Sequence, residues 1–490
     1  MASTQTVAVL EQSFAAEQVL LPGTEAYRKA NENYLSACQS DYSPAAFFQP
    51  RDPAEVAKFL HLASEHDIHF AIRGGGQQPL EACSNIDSGV TLDLSLIKGV
   101  ELKDGSVSVG AGEHWLAVYE KVQAAVLAVG GSRSGKGGIG GLSLSGGLSF
   151  FSTREGFICD NVINFEVVTA SGEIVQANAH ENADLWKALK GGGNNFGVVT
   201  RFDLRTYPQQ PFWSGIVFYL ASEANYPGQV EALVSEVTKP DVSNNTHFMV
   251  NLGYSKQFGD NMMGLNQVYY TGQDAAELYG ANSEDTGKAR IPPMLEPFTS
   301  VQPQIEQLNS FKIQTLVQGA TEHAVMSSDR VRCSYMNCTL RADTVALLSA
   351  ADIYSKAIEP LKDIEGITLC LTLQAYPKSL LSKTAELGGN VLGLPSHEPL
   401  VTVLLLTYWK NREDDKRIAT TLQEALTDIE KDADAHGQRV PYVYLNYTSK
   451  FQDPFPSYGE GNKKFLQQTS RKYDPEGLFQ KNVPGGFKLF

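Results

Sequence analysis

The chain has 490 residues, of which 42% are hydrophobic and 19% charged, and its formal net charge is −15. That length suggests two or three domains, and the apolar share supports a large buried core, which excludes wholesale disorder. The acidic balance argues against a general nucleic-acid or anionic-membrane surface, because both need a positive face; it leaves room for a local basic funnel.

At the N-terminus no basic region precedes an apolar run, and Glu11, Glu17 and Gln18 interrupt the apolar residues. No secretory signal is therefore expected, and the chain is read as cytoplasmic. No later stretch has the length of a membrane span; the richest, Val401 to Trp409, has that of a buried strand. The cysteines (Cys38, Cys83, Cys159, Cys333, Cys338, Cys370) form no CxxC, and no His pair has ligand spacing. Reduced thiols and no metal site are expected. The sequons at Asn244, Asn337 and Asn446 carry little weight in a chain that is not secreted.

Asp52-Pro53-Ala54-Glu55 is a helix start, with an N-cap acid, Pro in the first turn and Glu at the third position. Val56, Phe59, Leu60 and Ala63 then share one helical face. Val90, Leu92 and Leu94 alternate, as in a strand with one side buried. Between residues 129 and 200 glycines come in clusters, separated by a strand from Asn161 to Val168 and a hairpin turn at Ala170-Ser171-Gly172-Glu173. From 205 to 440 the texture changes to longer strands (Ser214 to Leu220, Thr246 to Tyr254, Thr368 to Gln374, Pro399 to Tyr408) and an amphipathic helix from about Arg417 to His436. This predicts an α+β domain with an antiparallel sheet. The tail, 441–490, returns to aromatic and glycine-rich residues.

Three readings fit the glycines. Gly130-x4-Gly135-Lys136 approaches a phosphate-binding loop, but Gly137 stands where Ser or Thr must ligate magnesium. Gly135 to Gly140 brushes the dinucleotide fingerprint, but the stretch runs on through more glycines instead of opening a helix. The third reading takes Arg73-Gly74-Gly75-Gly76, Gly138-Ile139-Gly140-Gly141 with Ser145-Gly146-Gly147, and Gly191 to Thr200 together. Successive glycine N–H groups form concave nests for a pyrophosphate, and three backbone walls in this order point to one extended ligand.

These segments carry a specific resemblance. RGGG, GGIGGLSLSGGLSFFSTREGFICDNV, DLWKALKGGGNNFGVVTRF, YLNY and YGEGNKKFLQQTSRKYDPEGLFQKNVPGGFKL resemble, colinearly from about residue 40 to the C-terminus, the berberine bridge enzyme-like branch of the vanillyl-alcohol oxidase superfamily. Together with GGNVLGL, the RGGG loop resembles the fungal secondary-metabolism members. The resemblance implies an α+β fold: a two-part PCMH-type FAD-binding domain (1–205, its core about 41–208, completed by 441–490) and a central α+β substrate domain (206–440) whose antiparallel sheet covers the flavin ring. It assigns FAD contacts to Arg73, Gly74, Gly75, Gly76, Gln77, Gly138, Gly140, Gly141, Ser145, Gly146, Gly147, Gly193, Gly197, Val199 and Asn446. It also implies hydride transfer to the flavin from a small secondary metabolite, with O2 as electron acceptor.

The sequence departs from the family at two positions. Gln77 follows RGGG where the family has a histidine bonded to the flavin, and Ser134 stands where some members add a cysteinyl bond. Neither side chain can make the bond, so the implied state is non-covalent FAD, with a lowered redox potential. Gly137, the smallest choice at the position that controls oxygen access in the family, implies an open path for O2. The match of the YxNY motif puts the proton-accepting tyrosine at Tyr447, with Tyr444 beside it. A tyrosine has an ordinary pKa near 10 and needs nearby positive charge or donors for that role. On a strand Tyr444 and Asn446 would share one face and Tyr447 the other, and a core aromatic with a satisfied hydroxyl is the lesser alternative for Tyr447. Gln374, Tyr376 and Trp409, with Tyr254, are candidate substrate contacts that also fit a core. Two further functions stay open: a redox-neutral cyclase with FAD as scaffold, and a non-catalytic flavin or ligand carrier. The oligomeric state has no sequence signal.

Overall fold

The computed structural model describes residues 2–280, 289–326 and 330–490. Asp52 accepts a bond from the Glu55 N–H (2.9 Å) and caps the helix Pro53–Glu65, whose Val56, Phe59, Leu60 and Ala63 are fully buried. None of the described helices is long and apolar enough to cross a membrane.

Among the described residues, three sheets organise the fold. The first has the order Val19–Leu20, Ala46–Phe48, Val90–Asp93, Phe70–Arg73, and its last three strands run parallel. Val90–Asp93 is buried at every position, not on one side as the alternation suggested, because it is an inner strand of that parallel sheet. The second is antiparallel: Val100–Lys103, Ser106–Gly110, Val198–Pro208, Val162–Val168, Ile174–Asn178, with Leu127–Val129 also on Val198–Pro208. Its hairpin turn closes where expected, the Thr169 N–H donating to Glu173 O (2.9 Å).

The third sheet is antiparallel with eight strands: Ser310–Gln314, Phe212–Leu220, Met263–Tyr270, Thr246–Ser255, Thr368–Tyr376, Leu400–Trp409, Arg332–Arg341 and Arg439–Val440. Strand alternation divides its residues between two cores. Phe248, Val250, Leu371, Leu373, Val401 and Val403 join a core with the helices Tyr226–Thr238, Thr344–Ala357 and Asp415–Ala435. Met249, Tyr269, Tyr376 and Leu400 join the core of the first two sheets.

The C-terminal tail packs back on the first half. The Phe70 N–H donates to Asn482 O (2.7 Å), Asn194 Nδ2 to Gly485 O (3.2 Å) and Asn195 Nδ2 to Phe487 O (3.1 Å). Between sheet and tail, Asn337 is fully buried; it accepts from the Tyr444 N–H (2.9 Å) and donates to Tyr444 O (3.1 Å). This sequon asparagine is therefore a structural clamp, inaccessible to glycosylation in the fold. Asn337→Ala leaves two buried backbone groups unpaired, so it should cost about 2–4 kcal/mol. Urea denaturation of the variant measures it, and a loss below about 1 kcal/mol would mean water replaces the amide.

Candidate functional site

A cavity of about 370 Å³ lies where the glycine loops, the third sheet and the tail meet. That is a ligand-sized space. Of the residues expected at a site, Gly74, Gly75, Gly76, Gln77, Gly138, Gly140, Gly141, Ser145, Gly193, Gly197, Val199, Asn446 and Tyr447 line it. Ser132, Ser134, Gly137, Cys83 and Tyr335 line it too.

The glycines do different things. Gly75 and Gly138 touch backbone to backbone: a Cβ on Gly75 would stand 2.5 Å from Gly138 Cα, and one on Gly138 would stand 2.5 Å from Gly75 Cα. Gly197 is small because a Cβ would meet Val167 Cγ1 at 2.6 Å. By contrast, a Cβ on Gly140 would meet nothing nearer than Phe202 Cζ at 3.8 Å, one on Gly193 nothing nearer than Leu445 Cδ1 at 3.9 Å, and one on Gly141 nothing within 4 Å. No protein neighbour explains the smallness of Gly140 and Gly141; a Cβ there would project into open space at the cavity wall. A short helix, Ile139–Ser143, opens after Gly138, where the sequence suggested an unbroken run of loop.

Several expected contacts stand elsewhere. Arg73 is buried and turned away from the cavity: its guanidinium donates to Ala30 O (2.8 Å) and Asn33 O (2.7 Å) and lies over the Tyr34 ring. It anchors the loop from behind. Gly146 and Gly147 do not line the cavity; they are needed for their φ of +101° and +80°, and a Cβ on Gly147 would also collide with Ile158. Trp409 faces the outer helices, its indole N–H donating to Asp415 (2.7 Å), and Tyr254 joins the same outer core. Alternation puts Tyr408, not Trp409, on the inner face, where its hydroxyl meets that of Tyr335 (3.1 Å). Tyr376 is fully buried, edge-on to Phe157 and Tyr444.

YLNY is not a strand. Leu445–Tyr447 is a 3-10 turn, which resolves the opposed faces a strand would have imposed. Asn446 Nδ2 donates to both Ser145 O (2.9 Å) and the Tyr444 hydroxyl (3.0 Å), tying the tail to the glycine loop. Tyr444 is fully buried, burial pushes its phenol well up, and it lies edge-on to Tyr447 at 4.7 Å. It supports the turn and does not reach the cavity. The Tyr447 hydroxyl accepts from Arg133 Nη2 (3.2 Å) and donates to Gln374 Oε1 (3.2 Å). Gln374 is buried behind Tyr447 and holds its oxygen.

Sequence reading missed Arg133, His247 and His323. Arg133 Nη1 faces His247 Nε2 (3.4 Å) and the Met249 sulfur, and His323 Nε2 pairs with the Tyr269 hydroxyl (2.6 Å). An arginine only donates, so His247 Nε2 accepts and its proton lies on Nδ1. Burial first, and the Arg133 charge second, hold both imidazoles neutral; His247 is well below the ordinary range and His323 is pushed down to about 3. The Gly135 N–H donates to Ala320 O (3.0 Å) and so docks the helix Leu316–Met326, which carries His323, on the glycine loop.

Comparison with known proteins agrees with this geometry. The model of the FAD binding domain matches residues 44–178. The FAD-dependent monooxygenase tpcD of Cochliobolus heterostrophus is 32% identical over 92% of this chain and 86% of its own length. This chain belongs to the berberine bridge enzyme-like family of FAD-linked oxidoreductases. The bifunctional solanapyrone synthase of Alternaria solani is 31% identical, over 98% of this chain and 88% of its own. Among solved structures, the berberine bridge enzyme-like 1 protein of Physcomitrella patens shares the fold, with a TM-score of 0.76, 17% identity and coverage of 100% of this chain and 99% of that one. The chain is thus an FAD-dependent oxidoreductase with relatives in fungal secondary metabolism, and its mixed α/β fold with antiparallel sheets is that of the family.

Gly138→Ala must push two backbones apart and should lose about 1–3 kcal/mol or more. Gly140→Val, with room in the protein, should stay folded yet hold less FAD; unfolding curves and the 450 nm absorbance of purified protein separate the cases, and a fully yellow Gly140→Val would release that glycine from the cofactor wall. The imidazoles set a pH dependence. Their folded pKa values lie below the unfolded value of about 6.5, so stability is whole above about 6.5 and falls as pH drops toward the folded values. Each contributes about 1.4 kcal/mol per pH unit in that window. His323→Gln should flatten the slope between about pH 6 and 4 by that amount; an unchanged slope would show that His323 is reached by solvent.

Proposed function

We propose that the chain is an oxidase of a small secondary metabolite that holds FAD without a covalent bond, with Tyr447 accepting the substrate proton. The observation that carries this reading is the Tyr447 hydroxyl on the cavity wall, fixed between Arg133 and Gln374 at 3.2 Å each. A proton-accepting tyrosine needs a cationic donor on its oxygen, and Arg133 is placed to be that donor. Gln374 fixes the direction of the hydroxyl. Asn446 and Asn337 hold the turn on which it sits.

The residues present fit FAD. Gly140, Gly141 and Gly193 leave the space that a flat ring or a pyrophosphate takes at a backbone wall, and the N–H groups of residues 74–77 supply donors. FAD held by these residues would supply a hydride acceptor for the substrate, with O2 as the final electron acceptor. Retention without a bond is supported by the side chains on the cavity wall. Gln77 and Ser134 line it, and an amide nitrogen is not nucleophilic. The cysteine on the wall, Cys83, is held as a thiol, its pKa pushed up to about 11 by burial. Gly137 lines the cavity with no side chain to obstruct O2.

A redox-neutral cyclase is favoured by one observation: Gln77 on the wall replaces the linkage that raises a flavin's oxidising power. Anaerobic mixing with pathway intermediates distinguishes the two, since an oxidase bleaches the flavin and a cyclase yields an isomer with the flavin still yellow.

Tyr447→Phe keeps the ring and should keep FAD while losing about 10² to 10⁴ in kcat at saturating substrate. A rate within about threefold of the parent would remove Tyr447 from the chemistry. Acid precipitation should release all the flavin into the supernatant, and flavin left in the pellet would mean a covalent link.

A further inference from the structure

Arg133 stands at the seam between the glycine loop and the eight-stranded sheet, half-buried, and among the described residues its charge has no acidic counterpart. Among the described residues its guanidinium meets only neutral groups: the Tyr447 hydroxyl (3.2 Å), His247 Nε2 (3.4 Å) and the Met249 sulfur. None of the described carboxylates forms an ion pair with it. Glu322, whose charge is felt at Tyr269, is held by Lys312 at 2.8 Å.

The acceptors that meet the guanidinium are all uncharged. A guanidinium has five N–H groups, and a thioether is a weak acceptor. Burial holds the His247 and His323 imidazoles toward the neutral form, so neither adds a second positive charge beside Arg133. Gln374, bonded to the same Tyr447 oxygen, has a buried amide nitrogen with no acceptor. A partly desolvated cation with only neutral partners is under-satisfied, and an anion brought to it gains a charge-assisted, two-pronged hydrogen bond. In a chain of net charge −15, such an unpaired cation is a local exception that attracts an anionic ligand.

We infer that the substrate presents an acidic oxygen to Arg133: a carboxylate, or the enolate or phenolate oxygen of a conjugated system. This rests on the reading of the cavity as a flavin and substrate site. Arg133 is then a specificity-determining residue as well as the partner of Tyr447, and neutral compounds of the same shape are discriminated against because they leave the guanidinium unpaired.

The test is calorimetric titration of the yellow protein with benzoate and with benzamide at neutral pH, for the parent and for Arg133→Gln and Arg133→Lys. Benzoate should bind at least about tenfold more tightly than benzamide. Arg133→Gln should abolish the difference, and Arg133→Lys, which keeps the charge without the fork, should retain part of it. Equal affinities in the parent, no benzoate binding up to about 10 mM, or an unchanged preference in Arg133→Gln would each overturn the inference. A protein purified without flavin would instead count against the proposed function, while the benzoate and benzamide titrations would still report on the anion site.

Discussion

The close approach of Gly75 and Gly138 is the constraint on which the site depends. With no side chain on either, the loop after Phe70–Arg73 and the loop before Ile139–Ser143 touch backbone to backbone. That contact joins the first sheet to the glycine loop and sets the floor of the cavity. Arg73, anchored on Ala30 and Asn33, fixes the first loop from behind, and the Trp115 N–H, donating to Gly137 O (2.9 Å), fixes the second. The other cavity-lining glycines add to this frame; they do not create it.

Upon that floor, long-range contacts deliver the polar groups. The tail brings Tyr447, the glycine loop brings Arg133, and the sheet brings His247 and Gln374. Each is placed by buried hydrogen bonds: Asn446 to Ser145, Asn337 to the Tyr444 backbone, Gly135 to Ala320. Buried polar networks of this kind leave few alternative arrangements, since each unmade bond in them costs the desolvation of its group. The result is a hydroxyl on the cavity wall, that of Tyr447, whose direction is set before any ligand arrives.

Much of this was legible in the sequence, for local reasons. The capping acid at Asp52, the helix face of Val56, Phe59, Leu60 and Ala63, and the turn at 169–173 depend on neighbours a few residues away. The glycine clusters marked the cavity because close approach of backbones leaves a compositional trace. Trp409 was misplaced because a largely apolar strand, buried at most positions, hides the parity that decides which face each residue takes. The conformation of YLNY stayed open in the sequence because a three-residue 3-10 turn has no periodicity to detect. Arg133, His247 and His323 stayed hidden because no local pattern marks a single cation whose partner is 114 residues away. The Arg73 expectation failed for a related reason: a motif arginine next to a ligand loop can serve the loop and not the ligand.

The central claim is that one cavity, floored by the Gly75–Gly138 contact and walled by the tail, holds FAD against Tyr447. Hydrogen–deuterium exchange of the protein stripped of flavin and then reconstituted tests it most directly. Protection on adding FAD should appear together at residues 74–77, 138–145, 193–199 and 444–447, and not in the outer helix Asp415–Ala435. Protection confined to one of these segments, or centred on the outer helices, would contradict the account.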